Sequence, residues 1–154
     1  MRTKLGNIVV NQGALAKLIG GEIDDRPIPA PTCSAQMAYT LSLLRKEAIA
    51  QLEFFEVQRN PIAKRFGEVV SANAVKDGDT DEAKAEKAKA INAAKDEFQK
   101  AVAELLDVEV VMPTVGRIKL SRFEAEKISL DAGDYLALEW LIKPDLAAMF
   151  EAED

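Results

Sequence analysis

Residues 81–106 read DEAKAEKAKAINAAKDEFQKAVAELL, and alanine, lysine and glutamate make up most of this stretch. These residues have high helix propensity, and Asp81 and Glu82 would lie at the positive end of the helix dipole. We therefore predict one α-helix over Asp81–Leu106. Its apolar residues recur every three or four positions and form a single stripe: Ile91, Ala94, Phe98, Val102 and Leu105.

A second helical pattern precedes this stretch. From Thr32 onward the apolar residues step by three, four or seven positions: Leu41, Leu44, Ala48, Leu52, Phe55, Ile62 and Phe66. This spacing predicts a long amphipathic helix that ends at Gly67. Asn60-Pro61 predicts a kink or a restart, because proline lacks the amide donor and clashes with the preceding turn. Two such helices, joined by the polar bend 68–80, would pack antiparallel.

The second helix has only alanine in its stripe before Ile91. Alanine buries little apolar surface, so this end of the helix can contribute little to a core. We therefore expect the far end of the helical hairpin to project from the rest of the protein.

The residues before the hairpin form shorter patterns. Lys4–Val10 is rich in β-branched residues and predicts a strand, and Ala14–Ile19 predicts a short helix. Gly20 and Gly21 would end that helix, because glycine readily adopts the left-handed conformation of a helix C-cap. Three prolines at positions 27, 29 and 31 predict an extended connector.

After the hairpin the apolar period drops to two. Residues 107–112 and 115–120 therefore predict a β-hairpin around Pro113 and Thr114. Ser121 and Glu124 have capping-box spacing and predict a short helix. Ser129 predicts the start of another helix, which Pro144 would end, and Asp145 could cap a last one.

Together these patterns predict an α+β fold with a long antiparallel helical hairpin, a small β-sheet and short C-terminal helices. One domain would span residues 1–154. Its expected segments are a strand and short helix (4–20), the helical hairpin (34–106), the β-hairpin (107–120) and an acidic helical C-terminal module (121–154).

Charge is distributed unevenly along the chain. Residues 1–120 hold 17 basic and 17 acidic side chains, whereas residues 121–154 hold 3 and 9, so the whole net charge of -6 lies in the last segment. An acidic end argues against direct nucleic-acid binding, and charged residues interrupt every long apolar run, which argues against a membrane span. The single cysteine, Cys33, and the absence of an apolar signal segment indicate an intracellular protein.

Three candidate chemical sites are weak. The chain has no histidine, which removes the usual catalytic triads, His-ligated zinc and the commonest base that could activate Cys33. The acidic cluster Asp77–Glu82 starts like a calcium loop, but its sixth and twelfth positions are Glu82 and Ala88 rather than glycine and glutamate. A basic stretch around Lys64 and Arg65 has only Phe66 to stack on bases. We therefore expect no enzyme activity, no cofactor and no metal.

The remaining candidate is a surface in the acidic module. Trp140 and its acidic neighbours resemble a protein interaction surface, although a core position for Trp140 is the more favoured alternative. The candidate surface residues are Glu139, Trp140, Asp145, Glu151, Glu153 and Asp154.

The order of these elements resembles a family of small, functionally uncharacterised tailed-bacteriophage proteins, and the resemblance covers most of the chain. The residues that carry it are Leu5-x-Asn7, Ala38-Tyr39-x-Leu41-x-x-Leu44-x-Lys46, Arg59-Asn60-x-Ile62-x-Lys64-x-Phe66-Gly67-Glu68, Leu105-Leu106-x-Val108-x-Val110, Ile118-Lys119-Leu120-Ser121, Ile128-Ser129-Leu130 and Leu138-Glu139. It implies a phage gene product, encoded in some genomes among late genes near tail and lysis functions, and it implies no catalytic residues.

The sequence thus leads to two expected functions. The first is a non-enzymatic phage accessory protein that binds another protein, as a minor virion or assembly component. The second is a host-directed inhibitor, for example of a defence nuclease, whose acidic C-terminal surface occupies a basic groove. The partner would be a phage structural protein or a host protein, the location the host cytoplasm or the virion, and a second copy of the chain is a further candidate partner.

Overall fold

The structure is a computed structural model that describes residues 1–23 and 25–143. Two long helices and three separate two-stranded sheets give an α+β fold. The helices are α1 (Leu5–Val10), α2 (Gln12–Ile19), α3 (Ala35–Ala72), α4 (Asp81–Leu106), α5 (Leu120–Ala125) and α6 (Ala132–Ala137). The strands are β1 (Arg2–Lys4), β2 (Gly21–Ile23), β3 (Arg26–Ile28), β4 (Glu109–Val111), β5 (Ile118–Lys119) and β6 (Ile142–Lys143).

Each long helix begins at a hydroxyl cap. The Ser34 side chain accepts a hydrogen bond from the Met37 amide at the start of α3, and Thr80 accepts one from the Ala83 amide at the start of α4. These caps satisfy amides that lack an intrahelical partner. The bounds predicted for α4 are confirmed. The 38 residues of α3 continue through Pro61, so the restart predicted there and the end predicted at Gly67 are wrong.

The helices α3 and α4 lie side by side and run in opposite directions. Lys87, near the start of α4, bonds the Ala74 carbonyl just beyond the end of α3, and Phe98 contacts Phe66 further along. No residue in 56–104 is buried. We call residues 56–104 the arm, and the other described residues the body. The prediction that this end of the hairpin has little core beneath it is confirmed.

The strand predicted over Lys4–Val10 is wrong, because only Arg2–Lys4 is extended and Leu5 starts a helix. Leu5 and Ile8 are fully buried and lie one helical turn apart. Leu5 and Ile8 therefore contribute to the core through helical spacing rather than through strand alternation, and Val10 is exposed. Strand β1 pairs antiparallel with β4, with Thr3 opposite Val110.

The short helix predicted after this region is confirmed as α2, and it ends at Gly20. Gly20 has a φ of 73°, and a Cβ there would lie 3.0 Å from the Ala30 amide nitrogen. Only glycine fits this position without strain. The predicted proline connector is in part a β-hairpin, because β2 pairs with β3 and Pro27 lies opposite Glu22.

The β-hairpin predicted over 107–120 is also wrong. Strand β4 pairs with β1, whereas β5 pairs in parallel with β6, with Ile118 opposite Ile142. The two short runs therefore belong to different sheets, and the single sheet predicted from residues 4–10, 107–112 and 115–120 does not form.

Two short C-terminal helices form within the described residues, and their starts differ from those predicted. The end predicted at Pro144 is also wrong, because α6 ends at Ala137 and Ile142 begins strand β6. Helix α5 begins at Leu120 with Lys119 as its N-cap, so Ser121 lies inside the helix. Helix α6 is capped by Asp131 rather than Ser129, in a capping box with Asp134. The helix predicted from Asp145 lies outside the described residues.

The core of the body joins residues that are distant in sequence. Its fully buried side chains come from α1, α2 and α3 and from the chain after the arm: Leu5, Ile8, Leu18, Met37, Leu44, Met112, Phe123, Leu138 and Leu141. The first and last parts of the described chain therefore pack on the near half of α3.

Candidate functional site

The residues of the predicted interaction surface do not lie together on one surface of the described chain. Glu139 is exposed, whereas Trp140 is only 7% exposed and belongs to the core cluster. The Trp140 indole donates its N–H to the Ala137 carbonyl at 3.1 Å, which satisfies its one polar group. Trp140 is therefore a core residue. The other four residues lie outside the described chain: Asp145, Glu151, Glu153 and Asp154.

Glu139 lies at a cleft of about 790 Å³ on the body. Arg117 lines this cleft and donates its Nε–H to the Trp140 carbonyl at 3.0 Å, and Leu136, which also lines it, is 72% exposed. Glu124 also lines the cleft. The lining of this cleft thus mixes apolar side chains with two carboxylates, Glu124 and Glu139.

Much of the acidic charge in residues 121–143 stabilises the fold. The Lys17 ammonium bonds Asp134 Oδ2 at 2.8 Å and Asp131 Oδ2 at 3.0 Å, which joins α2 to the start of α6. The hydrogen bond to Asp134, followed by that to Asp131, raises the pKa of Lys17 above its usual 10.5. The Asp134 amide is the main cause that lowers the pKa of Asp131, and Lys17 adds to it.

Glu126 makes a similar connection to the long helix. Its carboxylate accepts hydrogen bonds from the hydroxyl and the amide of Ser34, the N-cap of α3. These two bonds lower the pKa of Glu126 below its usual 4.5. Three of the five acidic residues in 121–143 therefore have structural partners: Glu126, Asp131 and Asp134.

The acidic cluster Asp77–Glu82 forms the tip of the arm. Asp79 accepts hydrogen bonds from the Lys76 amide at 2.7 Å and from the Lys87 ammonium at 2.6 Å. The Lys76 amide is the larger cause that lowers the pKa of Asp79. The tip carboxylate thus closes the turn between α3 and α4. Within residues 1–23 and 25–143, no group of three acidic or sulfur ligands is arranged to hold a metal ion.

The arm carries a second candidate surface, an open groove of about 350 Å³ between α3 and α4. Its floor is the Phe66–Phe98 ring pair, whose centroids are 5.3 Å apart, and both rings are only half-buried. Arg65 lines the groove from α3, and Glu97 lines it from α4. Both charged residues are exposed, and neither forms an ion pair with another described residue.

The apolar stripes predicted on the two helices correspond to this groove, since Ile62, Phe66, Ala94 and Phe98 all line it. The charged residues at its edges were missed. Their helical spacing is a signal, because Arg65 lies three residues after Ile62 and Glu97 three residues after Ala94. This spacing shows that each charged residue lies beside the apolar stripe of its own helix. It does not show that the two residues lie at the same opening between the helices.

Two further findings bear on function. None of the helices in the described ranges is long and apolar enough to span a membrane. Comparison of the chain with family models, with curated proteins and with solved structures finds no match.

Proposed function

We propose that this chain is a non-enzymatic bacteriophage accessory protein that binds another protein, as a minor component of the virion or of its assembly. The proposal combines the ordered sequence pattern, which resembles small tailed-phage proteins, with the arm. The arm is the main support for the proposal, because its two helices extend beyond the core.

The absence of buried residues in 56–104 is the observation that supports binding. A helical pair without a core contributes little to folding stability, yet residues 56–72 of α3 and 81–104 of α4 form such a pair. The arm also leaves the Phe66–Phe98 floor open to solvent along the groove. An elongated element with an open apolar groove suits contact with a second macromolecule.

The titratable residues support a non-enzymatic role. Strongly perturbed carboxyl and amino groups often mark active sites, but each shifted group in the described part of the chain has a structural explanation. The explained groups are Lys17, Asp79, Glu126 and Asp131, which join helices or close the turn at the tip.

Mass spectrometry of purified particles, together with deletion of the gene, tests the proposal. We expect the chain in intact particles, or a loss of particle assembly on deletion. Complementation with Ala101→Arg, which fills the groove, should fail, whereas Ala103→Arg on an exposed position of the same helix should succeed. Absence from particles together with normal assembly would overturn the proposal.

The alternative proposal is a host-directed inhibitor that uses an acidic surface. The ion pairs of Asp131 and Asp134 with Lys17 weaken it, because the ammonium group offsets part of the acidic charge in this region. The surface would then depend on Glu124, Glu139 and the acidic residues beyond 143. Binding that weakens strongly with salt and is lost on neutralising Glu151, Glu153 and Asp154 would support this alternative.

A further inference from the structure

We infer that the groove of the arm binds the groove of a second copy of this chain, so that two arms form a symmetric four-helix dimer. The inference rests on the proposed function, because it names the partner of the same arm. The partner that binds in the groove is then a second copy of this chain rather than a different protein.

The apolar residues between α3 and α4 are left incompletely covered. Ile62, Phe66, Ala94 and Phe98 are all half-buried, because two helices cover each other on one side only. A second helical pair laid on the groove would cover the remaining side, as in a four-helix bundle. Ala94 and Ala101 line the groove with small side chains, which leave space for side chains of the second helical pair.

The charges at the edges of the groove match a two-fold arrangement. Phe66 and Phe98 are in contact on antiparallel helices, so the preceding residues Arg65 and Glu97 lie on either side of the ring pair, only about 3 Å apart along the arm. A two-fold axis along the arm places α3 of one copy against α4 of the other. Arg65 of each copy then faces Glu97 of the other, which forms two equivalent ion pairs from charges that pair with no other described residue within one copy.

The size of the surface agrees with a reversible dimer. The α3 part of the arm, 56–72, is about 25 Å long at the helical rise, and two packed helices are about 20 Å wide. Each copy therefore offers a face of about 500 Å², or about 1,000 Å² for the pair, which is close to the lower limit for a specific interface. Dissociation in the micromolar range is the expected result.

Analytical ultracentrifugation of the full chain tests the inference. The wild type should change from the 16.8 kDa monomer to twice that mass as its concentration rises. Arg65→Glu and Glu97→Arg should each weaken the dimer by about tenfold or more, because each turns two attractive pairs into repulsive ones. The double variant Arg65→Glu/Glu97→Arg should restore the affinity.

Matched controls reverse the neighbouring charges. Lys64→Glu and Asp96→Arg change the same kinds of side chain at exposed positions that do not line the groove, and they should leave the affinity unchanged. Circular dichroism checks that every variant keeps its helices. A monomer at all concentrations, an assembly larger than a dimer, single variants without effect, or a double variant that does not recover would each overturn the inference.

Failure of the dimer and failure of the proposed function are distinguishable. A monomeric chain that is present in particles would overturn the dimer and leave the proposed function standing. A dimeric chain that is absent from particles and dispensable for assembly would overturn the proposed function alone.

Discussion

Glu126 illustrates how single side chains connect the body. Its carboxylate accepts both hydrogen bonds from Ser34, while the Ser34 hydroxyl in turn accepts from the Met37 amide in the first turn of α3. A charged acceptor strengthens these bonds and holds the cap in place. The longest helix thus begins at a residue that is tied to the chain after the arm, across 92 positions of sequence.

This connection predicts a specific dependence on pH. The pKa of Glu126 is lowered from 4.5, so its ionised form stabilises the fold above that pH, and the stabilisation is lost as the pH falls through the lowered pKa. Glu126→Gln should therefore lower the unfolding midpoint at neutral pH and reduce the difference between neutral and acidic pH. Denaturant unfolding at both pH values measures this.

The control is Glu124→Gln, which changes an exposed carboxylate in helix α5, the helix that Glu126 caps at its C-terminal end. We expect it to unfold like the wild type at both pH values. A Glu126→Gln variant with the full wild-type pH dependence would show that the contact with Ser34 does not contribute to stability.

Asp134 supports a second prediction at the scale of single residues. Its carboxylate accepts from the Asp131 amide and from Lys17, and only 10% of its side chain is exposed. Asp134→Ala removes half of the capping box and the more buried ion pair of Lys17, so it should lower the free energy of unfolding by about 1–2 kcal/mol. Glu139→Ala, at an exposed position nearby, should change it little. Equal losses in the two variants would contradict this role.

At the scale of elements, Pro61 is unexpected inside α3. Proline removes one helical hydrogen bond and clashes with the preceding turn, yet the helix continues to Ala72. Pro61→Ala should therefore stabilise the arm, by about 1–3 kcal/mol, and raise the protection of its amides in hydrogen exchange. Asn60→Ala serves as the control for helix propensity alone and should gain about 0.5 kcal/mol or less.

A loss of protection in Pro61→Ala would contradict this expectation. It would show that the arm needs the backbone shape imposed by Pro61 for α3 and α4 to pack, because Pro61 also lines the groove.

The elements that could be predicted are those whose signal extends over many residues. The bounds of α4 were predicted from its composition and from the acidic residues of its first turn. The short elements could not be predicted, because a run such as Leu5–Val10 has both strand propensity and helical spacing, and packing decides between them. The pairing of the strands could not be predicted either, because β1 pairs with β4, and the whole helical hairpin lies between them in the sequence.

The candidate surfaces could likewise be predicted only where a pattern extends along one element. Helical periodicity identified the stripes that form the groove, but the relative rotation of α3 and α4, which sets Arg65 and Glu97 at one opening, is a tertiary property. For Trp140 the sequence left a core position and a surface position open and favoured the core, where the structure places it. The partners of Asp131 and Asp134 could not be predicted, because Lys17 lies more than 110 positions away.

At the scale of the whole molecule, the body and the arm differ in what stabilises them. The body buries residues from both ends of the described chain around the near half of α3. The arm has its ring pair, half-buried aliphatic residues and the Lys87–Asp79 contact at its tip. Stability should therefore be unevenly distributed, and the arm should open at a lower free energy than the body unfolds.

Two optical probes can measure this difference in one sample. Trp140 is the only tryptophan and is buried in the body, so its fluorescence reports on the body, whereas far-ultraviolet circular dichroism also reports on the helices of the arm. Leu44→Ala creates a cavity in the core and should destabilise the fluorescence transition by about 2–5 kcal/mol. Phe98→Ala removes half of the ring pair, so it should lower the dichroism signal earlier in denaturant and leave the fluorescence midpoint unchanged. If Phe98→Ala moves both transitions equally, the arm and the body unfold as one cooperative unit, and the arm is stabilised by more than its own two helices.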